Sequence, residues 1–203
     1  MPNASGRFVW YELMAGDTAA ARTFYGAVVG WTLQDVPIPG MTYTLLKAGE
    51  TEIGGLMPLP PEAARAGVQP CWVPYIAVDD VDAAAVQLQH LGGKVHRAPA
   101  DIPGVGRFAV VADPQGAVCH LFRASEPRDL PDSMAAGHVG WRELHTTDWP
   151  KALSFYGAMF GWGKGSDFDM GALGTYQQFT IGGAAAGGMF NSPAAKRAGF
   201  WLF

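Results

Sequence analysis

Residues 10–31 read WYELMAGDTAAARTFYGAVVGW, and residues 141–162 read WRELHTTDWPKALSFYGAMFGW. Trp10, Glu12, Leu13, Asp17, Phe24, Tyr25, Gly26, Gly30 and Trp31 each recur 131 positions later. The echo continues from Tyr43 to Tyr176 and from Gly54-Gly55 to Gly187-Gly188, now 133 apart, and from Trp72 to Trp201, 129 apart. Such density with small indels is the mark of a duplicated structural unit. It requires the two stretches to fold alike. On this alignment Phe203 falls opposite Pro74, while the first copy runs on to about Phe122, so the second copy is shorter by about 48 residues. The expectation is a chain that continues past Phe203, or a half-domain whose sheet is completed by a second copy of the chain (a homodimer), because a terminal strand without a neighbour leaves backbone groups unpaired. Residues 1–123 read as one domain with modules 7–60 and 71–123, residues 124–137 (ASEPRDLPDSMAAG) as a Pro-rich polar linker, and residues 138–203 as the incomplete second domain.

The first copy is itself two similar halves. Arg7–Ala15 reads as a strand, Asp17 as the N-cap of a helix over Thr18–Val29, and Gly30 as its stop. Ala20, Phe24 and Val28 share one face of that helix at i, i+4 spacing. Strands follow at Trp31–Val36, Met41–Ala48 and Glu52–Pro58. The order restarts with a strand at Cys71–Val78 and a helix capped by Asp79 or Asp80 and running through Leu91, with Val81, Ala84, Leu88 and Leu91 as its buried stripe. Strands near Lys94–Arg97, Arg107–Ala112 and Ala117–Arg123 complete the half, with Asp113-Pro114-Gln115-Gly116 as a turn. The fold expected is α+β, built of βαβββ modules.

Composition narrows the function classes. Fourteen basic against 18 acidic residues, net −4 and without a like-charge block, argues against nucleic-acid and anionic-membrane partners. No apolar run reaches the roughly 18 residues that cross a bilayer, and the first ten residues lack the charged and apolar regions of a secretory signal. Cys71 and Cys119 form neither a CxxC pair nor a disulfide framework, which suits a reducing cytoplasm. No Gly-x-Ser-x-Gly or HExxH motif occurs, and Gly104-Val105-Gly106 lacks the strand-to-helix context of a nucleotide loop.

Asp17…Phe24-Tyr25…Gly30-Trp31, its counterpart Asp148…Phe155-Tyr156…Gly161-Trp162, Val78-Asp79-Asp80-Val81-Asp82-Ala83 and Asp113-Pro114-Gln115-Gly116 occur together in fixed order. In this the chain resembles the vicinal oxygen chelate superfamily of glyoxalases, bleomycin-resistance proteins and extradiol dioxygenases, and within it the glyoxalase-like group with two such domains in one chain. The resemblance implies paired βαβββ modules closing into a cupped mixed sheet around a small-molecule site, helices outside. It also implies metal ligands on the first and last strands of each module. Those positions hold Trp10, Val73 and Trp141 on first strands, and Gly54-Gly55, Gly187-Gly188 and His120 on last strands. Only His120 among them binds metals, against the three protein ligands a catalytic metal needs, so no metal and no other cofactor is expected.

Strand alternation puts Trp10, Glu12 and Met14 on one face and Trp141, Glu143 and His145 on its counterpart, the faces that the resemblance turns toward the ligand. Glu12 and Glu143 are candidates for proton transfer in an apolar site, or for holding adjoining strands by hydrogen bonds. His120 is a candidate base, a lone ligand or a core histidine, and His145 a candidate acid–base partner of Glu143 or a satisfied histidine. Trp10, Trp72, Tyr75 and Trp141 lie on first strands, where they line a ligand or fill the space that ligands occupy in relatives. Arg107 is an anion anchor or the partner of a surface carboxylate. Two functions stay close: a metal-independent lyase or isomerase acting on a small carbonyl or aromatic compound, and a non-catalytic protein that sequesters such a compound. A metal-dependent lyase or dioxygenase ranks below both.

Overall fold

A computed structural model describes residues 5–38, 40–126, 134–196 and 198–203. Half of the linker expected at 124–137, residues 127–133, lies outside the described residues. The strands form two sheets, of eight and five. By packing, the chain groups into two compact units. One holds residues 10–73 and 134–140, the other residues 5–9, 74–126 and 141–203.

The first unit holds most of module one. Its strands are β1 (Phe8–Ala15), β2 (Thr32–Ile38), β3 (Met41–Ala48) and β4 (Thr51–Pro58), in the order β2-β3-β4-β1. β1 and β4 run parallel, with Glu12 paired to Gly55, and the other pairs are antiparallel. Helix α1 (Thr18–Val28) starts where Asp17 accepts the Ala20 N–H at 2.9 Å, satisfying one of the helix's free donors. The core on the helix side joins Leu13, Ala15, Leu46, Ile53 and Leu56 with Ala21, Tyr25, Trp31 and Trp72 packed on it. The face of α1 expected to share Ala20, Phe24 and Val28 points to solvent instead, with Phe24 56% exposed. Tyr25 and Ala21 take the inward face. A short helix α2 (Pro61–Arg65), absent from the sequence reading, follows β4.

The second unit holds module three and all of module two but the start of its first strand. Module two comprises β5 (Cys71–Ala77), α3 (Val81–His90), β6 (Lys94–Ile102), β7 (Gly106–Ala112) and β8 (Val118–Ala124), in the order β5-β8-β7-β6. Asp80 caps α3 through the Ala83 N–H, and Val81, Ala84, Ala85 and Leu88 are its buried residues. Leu91, expected in that stripe, ends the helix exposed. β6 runs on to Ile102, well past the expected Arg97.

Module three comprises β9 (Glu143–Thr146), α4 (Trp149–Phe160), β10 (Gly163–Asp169), β11 (Thr175–Ile181) and β12 (Ala184–Asn191). Its order, β10-β11-β12-β9, repeats module one, and Glu143 pairs with Gly188 as Glu12 pairs with Gly55. β13 (Phe200–Leu202) pairs antiparallel with β9 on the side away from β12.

Module three is docked on module two by the Asp113–Gly116 turn. Asp113 Oδ1 accepts the N–H groups of Gln115 and Ala117, and its Oδ2 accepts the Tyr156 hydroxyl at 3.1 Å. Gln115 Oε1 receives the Thr146 and Thr147 hydroxyls at 2.6 Å and the Asp148 N–H at 2.7 Å. Phe8 packs beside Trp162 and Trp201, with ring centroids 5.3 and 5.5 Å away. Burying aromatic side chains of this size contributes about 1.5–3 kcal/mol each. The duplication reaches single hydrogen bonds: Trp31 Nε1 donates to the Gly137 carbonyl and Trp162 Nε1 to the Gly6 carbonyl, each pair related by the 131-residue offset.

Candidate functional site

Two sets of side chains on the faces opposite the helices carry the same construction. In module one, Trp10 Nε1 donates to the Tyr43 hydroxyl at 3.0 Å, and Tyr43 donates to Glu12 Oε2 at 3.1 Å. In module three, Trp141 Nε1 donates to the Tyr176 hydroxyl at 2.7 Å, and Tyr176 donates to Glu143 Oε2 at 2.8 Å. Each indole N–H fixes which lone pair the phenol oxygen uses, so the phenol proton is left to the carboxylate. Burial, then the carboxylate beside it, pushes the Tyr176 phenol up to about 12, and Tyr43 rises further for the same reasons. Both tyrosines therefore stay protonated donors at neutral pH.

The tyrosine rings lie over glycines. A Cβ on Gly55 would overlap the Tyr43 ring and hydroxyl, and one on Gly188 would overlap Tyr176. These glycines stand where the sequence resemblance places last-strand metal ligands. Indole, isopropyl and hydrogen at positions 10, 73, 141, 55 and 188 offer no metal donor, and tyrosine rings fill the space above the two glycines. Among the described residues no group of three His, Cys, Asp or Glu is arranged to hold a metal. The donor set does not fit a resident metal of the superfamily's kind.

The two copies differ in burial and in one neighbour. Glu12 is 6% exposed, whereas the Glu143 side chain is 26% exposed. Met14, half-buried in the first copy, is replaced by His145, whose Nε2 lies 2.8 Å from Glu143 Oε1 and whose Nδ1 lies 3.0 Å from Ser192 Oγ. Phe200 stacks on the His145 ring at 4.4 Å and Phe190 meets it edge-on at 4.7 Å. Glu143 and His145 are thus brought together, with Ser192 added, a residue that sequence reasoning missed. Its signal was present: Ser192 stands 133 residues after Leu59, in the register of the glycine pairs.

Module two presents a separate set. His120 is 5% exposed, between Tyr75 at 4.3 Å and Phe108 at 5.9 Å centroid distance. Burial, with a smaller contribution from Arg97, holds its imidazole down at about 3, so it is neutral at physiological pH. Its Nδ1 is buried without a hydrogen-bond partner among the described residues.

One site expectation needs correcting, and one alternative is decided in favour of the surface carboxylate. Trp72 belongs to the helix-side core: its indole N–H donates to the Tyr25 hydroxyl at 2.8 Å, and Tyr25 stacks on Trp31 at 5.3 Å. The reason is parity, since position 72 falls on the opposite face of its strand from Tyr75. Trp201, its counterpart, packs against Tyr156 and Trp162 likewise. Arg107 is bound by Asp82 through two N–H groups and by Asp101 at 2.9 Å, so its fork is engaged by surface carboxylates. Trp141 lies just outside β9 yet keeps its place above Tyr176.

The sequence model of the Glyoxalase/Bleomycin resistance protein/Dioxygenase superfamily matches residues 7–121. The chain belongs to this superfamily. It is 45% identical over 122 residues to CFP32 of Mycobacterium tuberculosis, which carries a glyoxylase name, covering 60% of this chain and 45% of that protein. It is 32% identical over 169 residues to the anthracycline biosynthesis protein DnrV of Streptomyces peucetius, covering 78% of this chain and 62% of that one. The chain thus spans less than two thirds of the length of these relatives. Among solved structures, its fold is similar to the Mn(II)-bound glyoxalase of Novosphingobium aromaticivorans, with a TM-score of 0.62 at 19% identity over 92% of this chain and 61% of that one. It is also similar to an extradiol ring-cleaving dioxygenase of B. fuscum, with a TM-score of 0.66 at 19% identity over 91% of this chain and 53% of that one. These superfamily likenesses carry the paired βαβββ architecture. No described helix is long and apolar enough to cross a membrane.

Proposed function

We propose that this glyoxalase-like protein binds a small carbonyl or aromatic molecule and acts on it without a metal, by proton transfer at Glu143. The observation that carries this reading is the carboxylate of Glu143, oriented by Tyr176 on one oxygen and His145 on the other, and still reachable at 26% exposure. Each oxygen keeps a second lone pair. A carboxylate so placed takes the proton from a carbon beside a carbonyl, the C–H electron pair passing to the carbonyl oxygen as an enolate. Returning the proton at that carbon gives exchange alone. In an α-hydroxy carbonyl, passage of the hydroxyl proton to the enolate oxygen and return of the abstracted proton at the former carbonyl carbon completes an isomerisation. A positioned base contributes roughly 10²–10⁴-fold to such a step. Trp141 and Phe200, both partly exposed, supply flat apolar surface beside it for an aromatic or enolised ligand. The relative named for anthracycline biosynthesis is consistent with an aromatic ligand, and the one with a glyoxylase name with a carbonyl.

A second reading, binding without chemistry, is favoured in the first copy. There Glu12 is buried, Tyr43 holds it, and Met14 replaces the histidine.

Deuterium incorporation from D2O into a panel of α-hydroxy carbonyls and aromatic ketones tests the assignment. Wild-type protein and Glu12→Gln should exchange a panel member, and Glu143→Gln should lose at least 100-fold in rate. Panel members that bind wild-type protein without any exchange would decide for sequestration.

A further inference from the structure

We propose that Ser192 is a positioning residue that fixes His145 with its proton on Nε2, aimed at Glu143. The proposal rests on the reading of Glu143 above. It starts from the duplication. The Ser192 N–H donates to the Thr146 carbonyl at 2.8 Å, and the Leu59 N–H donates to the Ala15 carbonyl at 2.8 Å, so positions 59 and 192 are equivalent in the fold and not only in alignment. In module one the pair at the equivalent positions is Met14 and Leu59; in module three it is His145 and Ser192. Both members are apolar in one copy and both polar in the other.

The direction of the hydrogen bonds follows from the serine. Ser192 caps the 3-10 turn Pro193–Ala195, and its Oγ accepts the Ala194 N–H at 3.2 Å. With a lone pair so engaged, the hydroxyl proton turns to the acceptor in reach, His145 Nδ1 at 3.0 Å. An imidazole that accepts at Nδ1 carries its proton on Nε2, and Nε2 lies 2.8 Å from Glu143 Oε1. Were the proton on Nδ1 instead, Oγ would receive two donors while its own proton went unplaced, and Nε2 would turn a lone pair toward a carboxylate. Phe190 and Phe200 hold the ring against rotation, and Ser192 is itself buried at 8% exposure. The chain Ser192–His145–Glu143 therefore ends on a donated N–H, which holds Oε1 in place for the substrate.

Long-range 1H–15N NMR of uniformly labelled protein at pH 7.5 reads this without any substrate. His145 is assigned by its loss in His145→Gln. The expected wild-type pattern is one tautomer, protonated at Nε2, with the Nδ1 resonance displaced from the free-acceptor position by the hydroxyl. Ser192→Ala should return Nδ1 to the free-acceptor position, and Ser192→Thr should restore the wild-type shift. A wild-type His145 protonated at Nδ1, or a Nδ1 shift unchanged in Ser192→Ala, overturns the proposal. The wild-type tautomer decides even if Ser192→Ala fails to fold. Loss of the Glu143 reading would show differently, as full exchange activity in Glu143→Gln with the His145 tautomer intact.

Discussion

Tyr43 and Gly55 share one site: the phenol occupies the space that a Cβ on residue 55 would need, and Tyr176 does the same over Gly188. A side chain at the glycine and a tyrosine ring above it are mutually exclusive. The ligand-bearing last strand implied by the superfamily is thereby exchanged, in both copies, for a Trp–Tyr–Glu chain of hydrogen bonds.

Gly55→Ala should accordingly force the Tyr43 ring out, breaking its bonds to Trp10 and Glu12. Overpacking of this kind costs typically 1–3 kcal/mol, seen as a lower urea midpoint at unchanged m-value. Unchanged stability would mean that the ring moves freely and the chain of bonds is ornamental.

Tyr43→Phe keeps the ring and deletes the hydroxyl, leaving the Trp10 N–H without its acceptor and Glu12 without this donor. The expected loss is about 1–3 kcal/mol by thermal melting, similar to that of Glu12→Gln, which sets an amide where a carboxylate accepted. A smaller loss for Tyr176→Phe is expected, because its site is open to water that can replace the hydroxyl.

Stability should depend on His120 below neutrality. Its folded value near 3 lies below the ordinary 6.5, so between these the unfolded chain binds more protons and stability falls as pH drops. Above about pH 6.5 the contribution is complete. At about 1.4 kcal/mol per pH unit, wild-type protein should lose about 2–3 kcal/mol more than His120→Gln between pH 7 and 4.5 in urea titrations. Parallel losses in both proteins would show that His120 takes up no less proton when folded.

Gln115→Ala should loosen module three, since the Thr147 and Asp148 N–H groups lose their acceptor. Hydrogen exchange at 147 and 148 is expected to accelerate well before exchange in β7, with a stability loss of about 1–3 kcal/mol. Uniform acceleration across the chain would place the docking elsewhere.

Arg107→Ala is the contrasting case. Its partners Asp82 and Asp101 are surface carboxylates, so ligand affinity should be unchanged in an equilibrium binding titration. A clear loss of affinity would return Arg107 to the site.

The sequence by itself determined the modules. Period-two alternation, aspartate caps at 17, at 79 or 80 and at 148, and glycine stops are local signals, and each acts within a few residues of itself; the structure chose Asp80. The duplication tied Glu12 to Glu143 before any fold was known. Only tertiary structure decided the rest, because it depends on what lies across a sheet. Phe24 faces water while its repeat Phe155 is buried, though helical spacing is the same for both. Trp72 packs under a helix through a partner 47 residues away, and Arg107 finds Asp82 25 residues away. Tyr43 and Tyr176 were visible only as repeated letters. Their roles required strands β3 and β11 to pair beside β4 and β12, whose glycines leave the room that the tyrosine rings fill. Ser192 reached His145 only once a turn after β12 returned beside β9, a closure that no local pattern encodes.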